Sequence, residues 1–316
     1  MPSQPHAQPP SSARAYLVLA LGVVAIGWSA LFVRWSAVPG WTSAFWRMAI
    51  AQLVFVPWAL ATRRHGAQRL PLPRTAIVAA VVAGAFFAAD LALFNTAVMV
   101  SSAANATLLG VNAPVFVALG AWLLDRERPT RRFWLGFALS LVGMIAIVGT
   151  DMVRHPRLGL GDLFALLGAV CYAGYLLFAR RSRLAIDALA FSALSGVTAA
   201  STLLLICVAI GTPLHGFPAT SWWAMLGLAL VTQVVGHLSV AHALGRLPVS
   251  VTSIALLGQA PITALLAVPL LGEPLGPQQL LGGALVLAGI AVVTSTRTRT
   301  RSGPRAAPRP PEPLLE

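Results

Sequence analysis

Two short segments set an amide, an alanine and a proline inside long apolar runs: Asn112-Ala113-Pro114 and Gln259-Ala260-Pro261. A proline within a helix cannot donate to the carbonyl four residues earlier. Those carbonyls, of Gly110 and Leu257, are left seeking partners at membrane depth. With the neighbouring amides they offer several donors and acceptors close together. Groups of this kind hold a polar solute; they do not make or break its bonds. Hydrogen bonding between packed helices is the plainer use for one such segment. Two copies in corresponding places point instead to the lining of a passage. Helical spacing extends the polar faces: Ser101, Asn105 and Asn112 share one, and Thr252, Gln259 and Thr263 share another. Gln233 and His237 are four apart, and Tyr172 and Tyr175 fall at similar depth. The candidate cavity residues are therefore Asn105, Asn112, Pro114, Tyr172, Tyr175, Gln233, His237, Gln259 and Pro261.

Full charges inside apolar spans are costly unless paired. Arg47 falls about 9 Å below one end of its span and Asp90 about 12 Å below the same end of the next, counting 1.5 Å per residue. They are expected to form an ion pair near the outer mouth, either a fixed staple or a gate. Asp90 and His237 are the groups that could carry a proton. Glu127 and Glu273 follow the two proline-bearing runs and precede the next helices, where a carboxylate favours a helix N-terminus; they read as structural ends of the repeat. Gly159-Leu160-Gly161-Asp162 spells the GxGD pattern of intramembrane aspartyl proteases, with Asp90 as the imaginable second carboxylate. Asp162 falls at a helix start, however, where an N-cap is expected. No HExxH, GxSxG or P-loop pattern occurs, and all 22 basic residues are arginine, so there is no lysine for a Schiff base. The residues suggest no catalytic group, no metal site and no cofactor.

The elements that position these residues follow from composition. The chain is 57% hydrophobic and 10% charged, with a mean hydropathy of +0.79, too few charges to cover a soluble surface. Apolar segments long enough to cross a bilayer lie near 16–35, 42–61, 75–98, 101–124, 132–149, 161–180, 186–210, 220–243, 250–271 and 277–295. The expected fold is an all-α polytopic membrane protein of ten transmembrane helices. Residues 1–14 (Pro/Ser/Gln-rich) and 296–316 (Arg/Pro-rich) are expected to be disordered. With the N-terminus inside, eighteen arginines fall on the cytosolic side and three on the outer side. That bias places both termini in the cytosol. It also accounts for the net charge of +13 without a nucleic-acid partner. Cys171 and Cys207 lie in apolar runs and read as core residues.

The chain is doubled. Gly22–Phe32 aligns with Gly168–Phe178 at an offset of 146, and Gly136 and Gly143 align with Gly282 and Gly289 at the same offset. The repeats span 15–150 and 161–295, joined by an outer linker at 151–160. Five helices per unit is an odd number, so the second copy is expected to be inverted in the bilayer.

ANATLLGVNAPVFVALGAWLLDRERP and its counterpart SIALLGQAPITALLAVPLLGEPLGPQQLLGGALVLAGI, with GDLFALLGAVCYAGYLLFARR and FVRWSAVPGWTSAFWRMAIA, resemble the drug/metabolite transporter superfamily, EamA type. The resemblance covers residues 15–295. It implies a bacterial inner-membrane carrier, commonly an exporter, with a cavity formed by helices 1–4 and 6–9 and with helices 5 and 10 peripheral. Members handling cationic drugs often depend on an acidic residue early in helix 1, and this helix 1 has none. The expected function is secondary transport of a small neutral or zwitterionic metabolite such as an amino acid, by alternating access. The expected partners are the small-molecule substrate and the lipid bilayer, with homodimerisation and proton coupling both left open. The alternatives are an intramembrane protease using Asp90 and Asp162, or a structural membrane protein that transports nothing.

Overall fold

The structure of the chain is a computed structural model. It describes residues 12–65, 72–100, 110, 112–126, 128–154, 159–271 and 277–294. Asn105, Glu127 and Glu273 lie outside the described residues, as do residues 1–11 and the whole of 296–316.

Every regular element among the described residues is helical. The first half contains α1 (Ser12–Gly27), α2 (Ser29–Ser36), α3 (Gly40–His65), α4 (Arg74–Val100), α5 (Ala113–Asp125) and α6 (Arg131–Arg154). The second contains α7 (Leu160–Arg183), α8 (Ala188–Ala209), α9 (Ala219–Gly227), a π-helical stretch (Leu228–His237) and α10 (Leu238–Leu244). It continues with α11 (Val249–Ala255), a 3-10 turn (Leu256–Gly258), α12 (Gln259–Leu271) and α13 (Pro277–Thr294). Six helical stretches among the described residues are long and apolar enough to span a bilayer: Ala13–Ser36, Gly40–Thr62, Arg74–Ala97, Leu163–Arg183, Ala188–Ala209 and Ala219–Leu244. Leucines and valines such as Leu17, Leu53, Leu205 and Val208 stand exposed on these helices, as side chains facing lipid do.

The halves interleave. α4 packs on α7 and α8, α3 packs on α8, and α1 packs on the π-helical stretch and α10. α6 and α13, equivalent elements of the two repeats, pack on one another. A Cβ at Gly136 would meet the Gly289 carbonyl, and one at Gly143 would meet the Gly282 carbonyl, so the two helices run antiparallel. Between those contacts the Ser140 hydroxyl donates to the Val286 carbonyl at 3.4 Å, across 146 positions. Glycine is needed at this crossing because backbone touches backbone.

At one end of the bundle the Thr42 hydroxyl donates to Pro213 O at 2.8 Å and Trp46 Nε1 to Leu214 O at 2.9 Å, tying α3 to the 211–218 loop. At the other end the Ser182 hydroxyl donates to Ala76 O, and the Arg183 guanidinium donates to Ala241 O at 2.7 Å and to Ile186 O. Arg180 donates to Leu244 O at 2.6 Å. These arginines satisfy carbonyls in the last turn of α10 that have no partner within their own helix.

The proline segments take two forms. Pro114 opens α5 rather than kinking it: Asn112 is the N-cap residue, and Val115 N–H reaches Asn112 O at 3.0 Å. Proline at a helix start sacrifices no backbone bond. Around Pro261 the α-helix tightens into the 3-10 turn at 256–258, and the Gln259 N–H bonds back to Leu256 O. Both prolines are buried. Pro261 faces α13, with its Cβ 3.5 Å from where a Cβ on Gly283 would stand.

The span holding α1 and α2 is broken at Gly27 and Trp28, a break absent from the sequence reading. The Gly27 carbonyl accepts the Thr263 hydroxyl at 2.7 Å, so α12 caps the break between α1 and α2.

Candidate polar site between the halves

α3 delivers Arg47 into the interior, where the side chain is 4% exposed. Its Nε donates to Gln233 Oε1 at 3.0 Å, Nη2 meets His237 Nδ1 at 3.1 Å, and Nη1 donates to Ser29 Oγ at 3.4 Å. The guanidinium carbon stands 5.9 Å from the Phe87 ring centroid, a favourable distance for a cation above an aromatic face. Ser29, Arg47 and Phe87 come from the first half and Gln233 and His237 from the second.

The π-helical stretch 228–237 carries both Gln233 and His237. π-turns within α-helices recur at functional sites, because the wider turn re-aims side chains at the cost of regular bonding. Here His237 Nδ1 also lies 2.9 Å from Thr232 O, five residues back. Arginine can only donate, so the Arg47 contact uses the Nδ1 lone pair and leaves the ring proton on Nε2. The Thr232 contact requires the proton on Nδ1. One nitrogen cannot serve both at once, so the Arg47–His237 bond is contested within the protein itself.

Aromatic rings form the adjoining layer. Phe87 stacks on Tyr175 at 4.5 Å, Tyr175 on Tyr172 at 5.7 Å, and Phe87 lies 4.9 Å from the His237 ring. Asp90, three residues beyond Phe87, turns to α7, where a Cβ at Gly168 would be 3.5 Å from Asp90 Oδ1.

Arg47 and Asp90 are electrostatic neighbours. Among the described residues the hydrogen bonds of Arg47 run to neutral groups, and none runs to Asp90. The cause lies in the face of α4: Phe87 meets Arg47, while Asp90 is rotated onto α7.

The structure thus gathers Arg47, Gln233, His237, Tyr172 and Tyr175, with Asp90 beside them. It sets Asn112 and Pro114 at the start of α5, which packs on α7 and α11, and Gln259 and Pro261 on α12, which packs on α13. Their link to the cluster runs through helix 1: Gly27 packs on the Gln259 carbonyl, and Ser29, two residues on, meets Arg47. Ser29, Phe87, Thr232 and Gly27 escaped the sequence reading; the Gly27/Ser29 pair inside an apolar run was the available signal.

Above the cluster, Asn95 Nδ2 donates to Gly40 O at 3.1 Å and Ser43 Oγ at 3.2 Å. A cavity of about 420 Å³ opens at this end, lined by Ala37, Val38, Pro39, Gly40, Trp41 and Thr96. Gly40 precedes Arg47 by seven residues, about 10 Å along a helix. Among the described residues no group of His, Cys, Asp and Glu could hold a metal ion.

Residues 13–149 and 159–295 each match the EamA-like transporter family. A Bacillus subtilis (strain 168) protein named "Uncharacterized transporter YyaM" is 24% identical over 255 residues, 79% of this chain and 82% of the relative. A protein of Streptantibioticus cattleyicolor named "Probable terminal-alkyne amino-acid exporter" is 28% identical over 269 residues, 81% of this chain and 85% of the relative. One solved crystal structure covers 92% of this chain and all of its own, with a TM-score of 0.76 at 20% identity, a likeness of fold. A family matched twice, with relatives named as transporters, leaves no place for the protease alternative. This chain belongs to the EamA-like transporter family and is a multi-pass membrane transporter, not an enzyme.

Proposed function

We propose that the protein is a secondary transporter that exports a small neutral or zwitterionic metabolite, such as an amino acid, by alternating access. Its ten spans form two inverted five-helix repeats in the cell inner membrane, with both termini cytosolic. The observation that carries this reading is the meeting of Arg47 with Gln233 and His237, groups from both halves buried at one depth. Rocking one repeat against the other would expose such a site first to one face and then to the other. The antiparallel crossing of α6 and α13 supports inversion, since equivalent helices of parallel repeats would run the same way. The arginine bias supports the orientation. The name of the Streptantibioticus cattleyicolor relative supports an amino acid as cargo and export as direction.

The test compares metabolites in cells and medium for a strain with the gene and one without it. Export predicts one small zwitterion or neutral solute depleted in the medium and accumulated in the cells that lack the protein. Identical profiles across amino acids and related metabolites would contradict the reading.

A further inference from the structure

We propose that Arg47 and Asp90 are the two charged subsites for a zwitterionic substrate, Arg47 taking its carboxylate and Asp90 its ammonium. This rests on the transporter reading above and names how its substrate is recognised.

A guanidinium removed from water needs compensation, and every hydrogen-bond partner of Arg47 is uncharged. Those partners use three of its five N–H donors, leaving one N–H on each terminal nitrogen. Two donors in a planar fork match a carboxylate, which accepts both in parallel. The His237 partner is exchangeable. When a carboxylate draws Nη2 away, His237 can place its proton on Nδ1 and bond Thr232 O, which already lies 2.9 Å away.

Asp90 supplies the opposite sign. Among the described residues nothing hydrogen-bonds its carboxylate, which faces α7 at Gly168. The charges of Arg47 and Asp90 act on one another, and both act on Tyr172 and Tyr175. The aromatic layer Phe87–Tyr175–Tyr172 adjoins both: the Phe87 ring lies 5.9 Å from the Arg47 guanidinium, and Gly168, which faces Asp90, shares a helix face with Tyr172 one turn on. A site with separated opposite charges and no net charge suits a solute built the same way. A simple amine would leave Arg47 uncompensated, and a simple carboxylate would leave Asp90 so.

The experiment uses the full chain in proteoliposomes and a labelled mixture of the standard amino acids, from which the transported species is identified by efflux. Its decarboxylated amine and its N-acetyl derivative are then added as competitors. On the wild-type protein each should compete about 10- to 100-fold more weakly than the unlabelled amino acid, the loss set by one charge-assisted contact. Arg47→Gln should raise KM for the amino acid by at least tenfold while leaving weak competition by the amine unchanged. Asp90→Asn should raise KM similarly and bring the N-acetyl derivative level with the amino acid. Competition by either analogue within tenfold of the amino acid on wild-type protein overturns the assignment and leaves the transporter reading intact. Efflux of no amino acid at all removes the amino-acid reading and this assignment with it. The wild-type arm holds even where a variant misfolds, and size-exclusion profiles in detergent identify such variants.

Discussion

Gln233 stands 146 positions after Phe87, the repeat offset, and both residues meet the Arg47 guanidinium, one by a hydrogen bond and the other through its ring. The same offset relates Gly236 to Asp90. Gly236 packs against Gly22 of α1, and Asp90 packs against Gly168 of α7, the partner of Gly22 in the second copy. The scaffold is thus symmetric, and the polar groups are placed on it unequally. A charge sits where the other repeat has glycine, and an amide where it has phenylalanine. That inequality turns a packing interface into a site.

Gln233→Glu would place a permanent carboxylate on Arg47. The charge-assisted pair should stabilise the folded protein by about 1–3 kcal/mol. The same carboxylate neutralises the guanidinium that the substrate carboxylate would pair with, so transport should fall at least tenfold. Thermal unfolding in detergent and efflux from proteoliposomes read the two effects. A variant that is no more stable, or that transports normally, contradicts the account.

Thr263→Val keeps the shape of the side chain and removes the hydroxyl that caps the Gly27 carbonyl. Interhelical hydrogen bonds in membranes are modest, and the loss should be about 0.5–2 kcal/mol. Thr263→Ser should restore most of it. Equal melting temperatures for Val and wild type would mean that the helix-1 break needs no cap.

At the α6–α13 crossing, Gly289→Val drives a side chain into Ser140 and the Gly136 carbonyl. Overpacking against backbone should cost about 1–3 kcal/mol. Gly159→Ala, with no atom of the described residues within 4 Å of the new methyl, serves as the control and should change stability by less than about 0.5 kcal/mol. Similar melting shifts for the two variants would show that the crossing is loose.

Arg183 joins α7 to the end of α10 through the Ala241 carbonyl and to its own following turn through Ile186. Arg183→Met should destabilise by about 1.5–3 kcal/mol. Arg183→Lys should recover less than half of that, since an ammonium lacks the planar fork that reaches two carbonyls. Full rescue by lysine would make charge alone sufficient.

The doubling, the helical class and the matched glycines Gly136/Gly143 and Gly282/Gly289 were legible because each is written in residue spacing. That Gly136 and Gly143 would meet Gly289 and Gly282, and not other helices, was not, because a small face does not name its partner. The individual members Arg47, Gln233, His237, Tyr172 and Tyr175 stood out as polar groups in apolar runs. Their grouping did not. Depth along a helix says nothing of azimuth, so Arg47 and Asp90 were matched by depth alone, although α4 presents Phe87 to the arginine. The π-helical stretch has no residue signature, and it is what aims Gln233 and His237 together. Asn112 and Gln259 were chosen as the centre because prolines advertise a break. The break that touches the Arg47 cluster is the unadvertised one at Gly27. Reading Phe87 against Gln233 at the repeat offset would have located the cluster.

Alternating exposure of the site is the central claim, and a single thiol tests it. Gln233→Cys, in a background carrying Cys171→Ser and Cys207→Ser, is treated with a membrane-impermeant thiol reagent from either face of sealed vesicles. The account predicts that the residue reacts from both faces, and that its reactivity at one face falls when a transported amino acid is added. Reaction from one face only, or from neither, would contradict it.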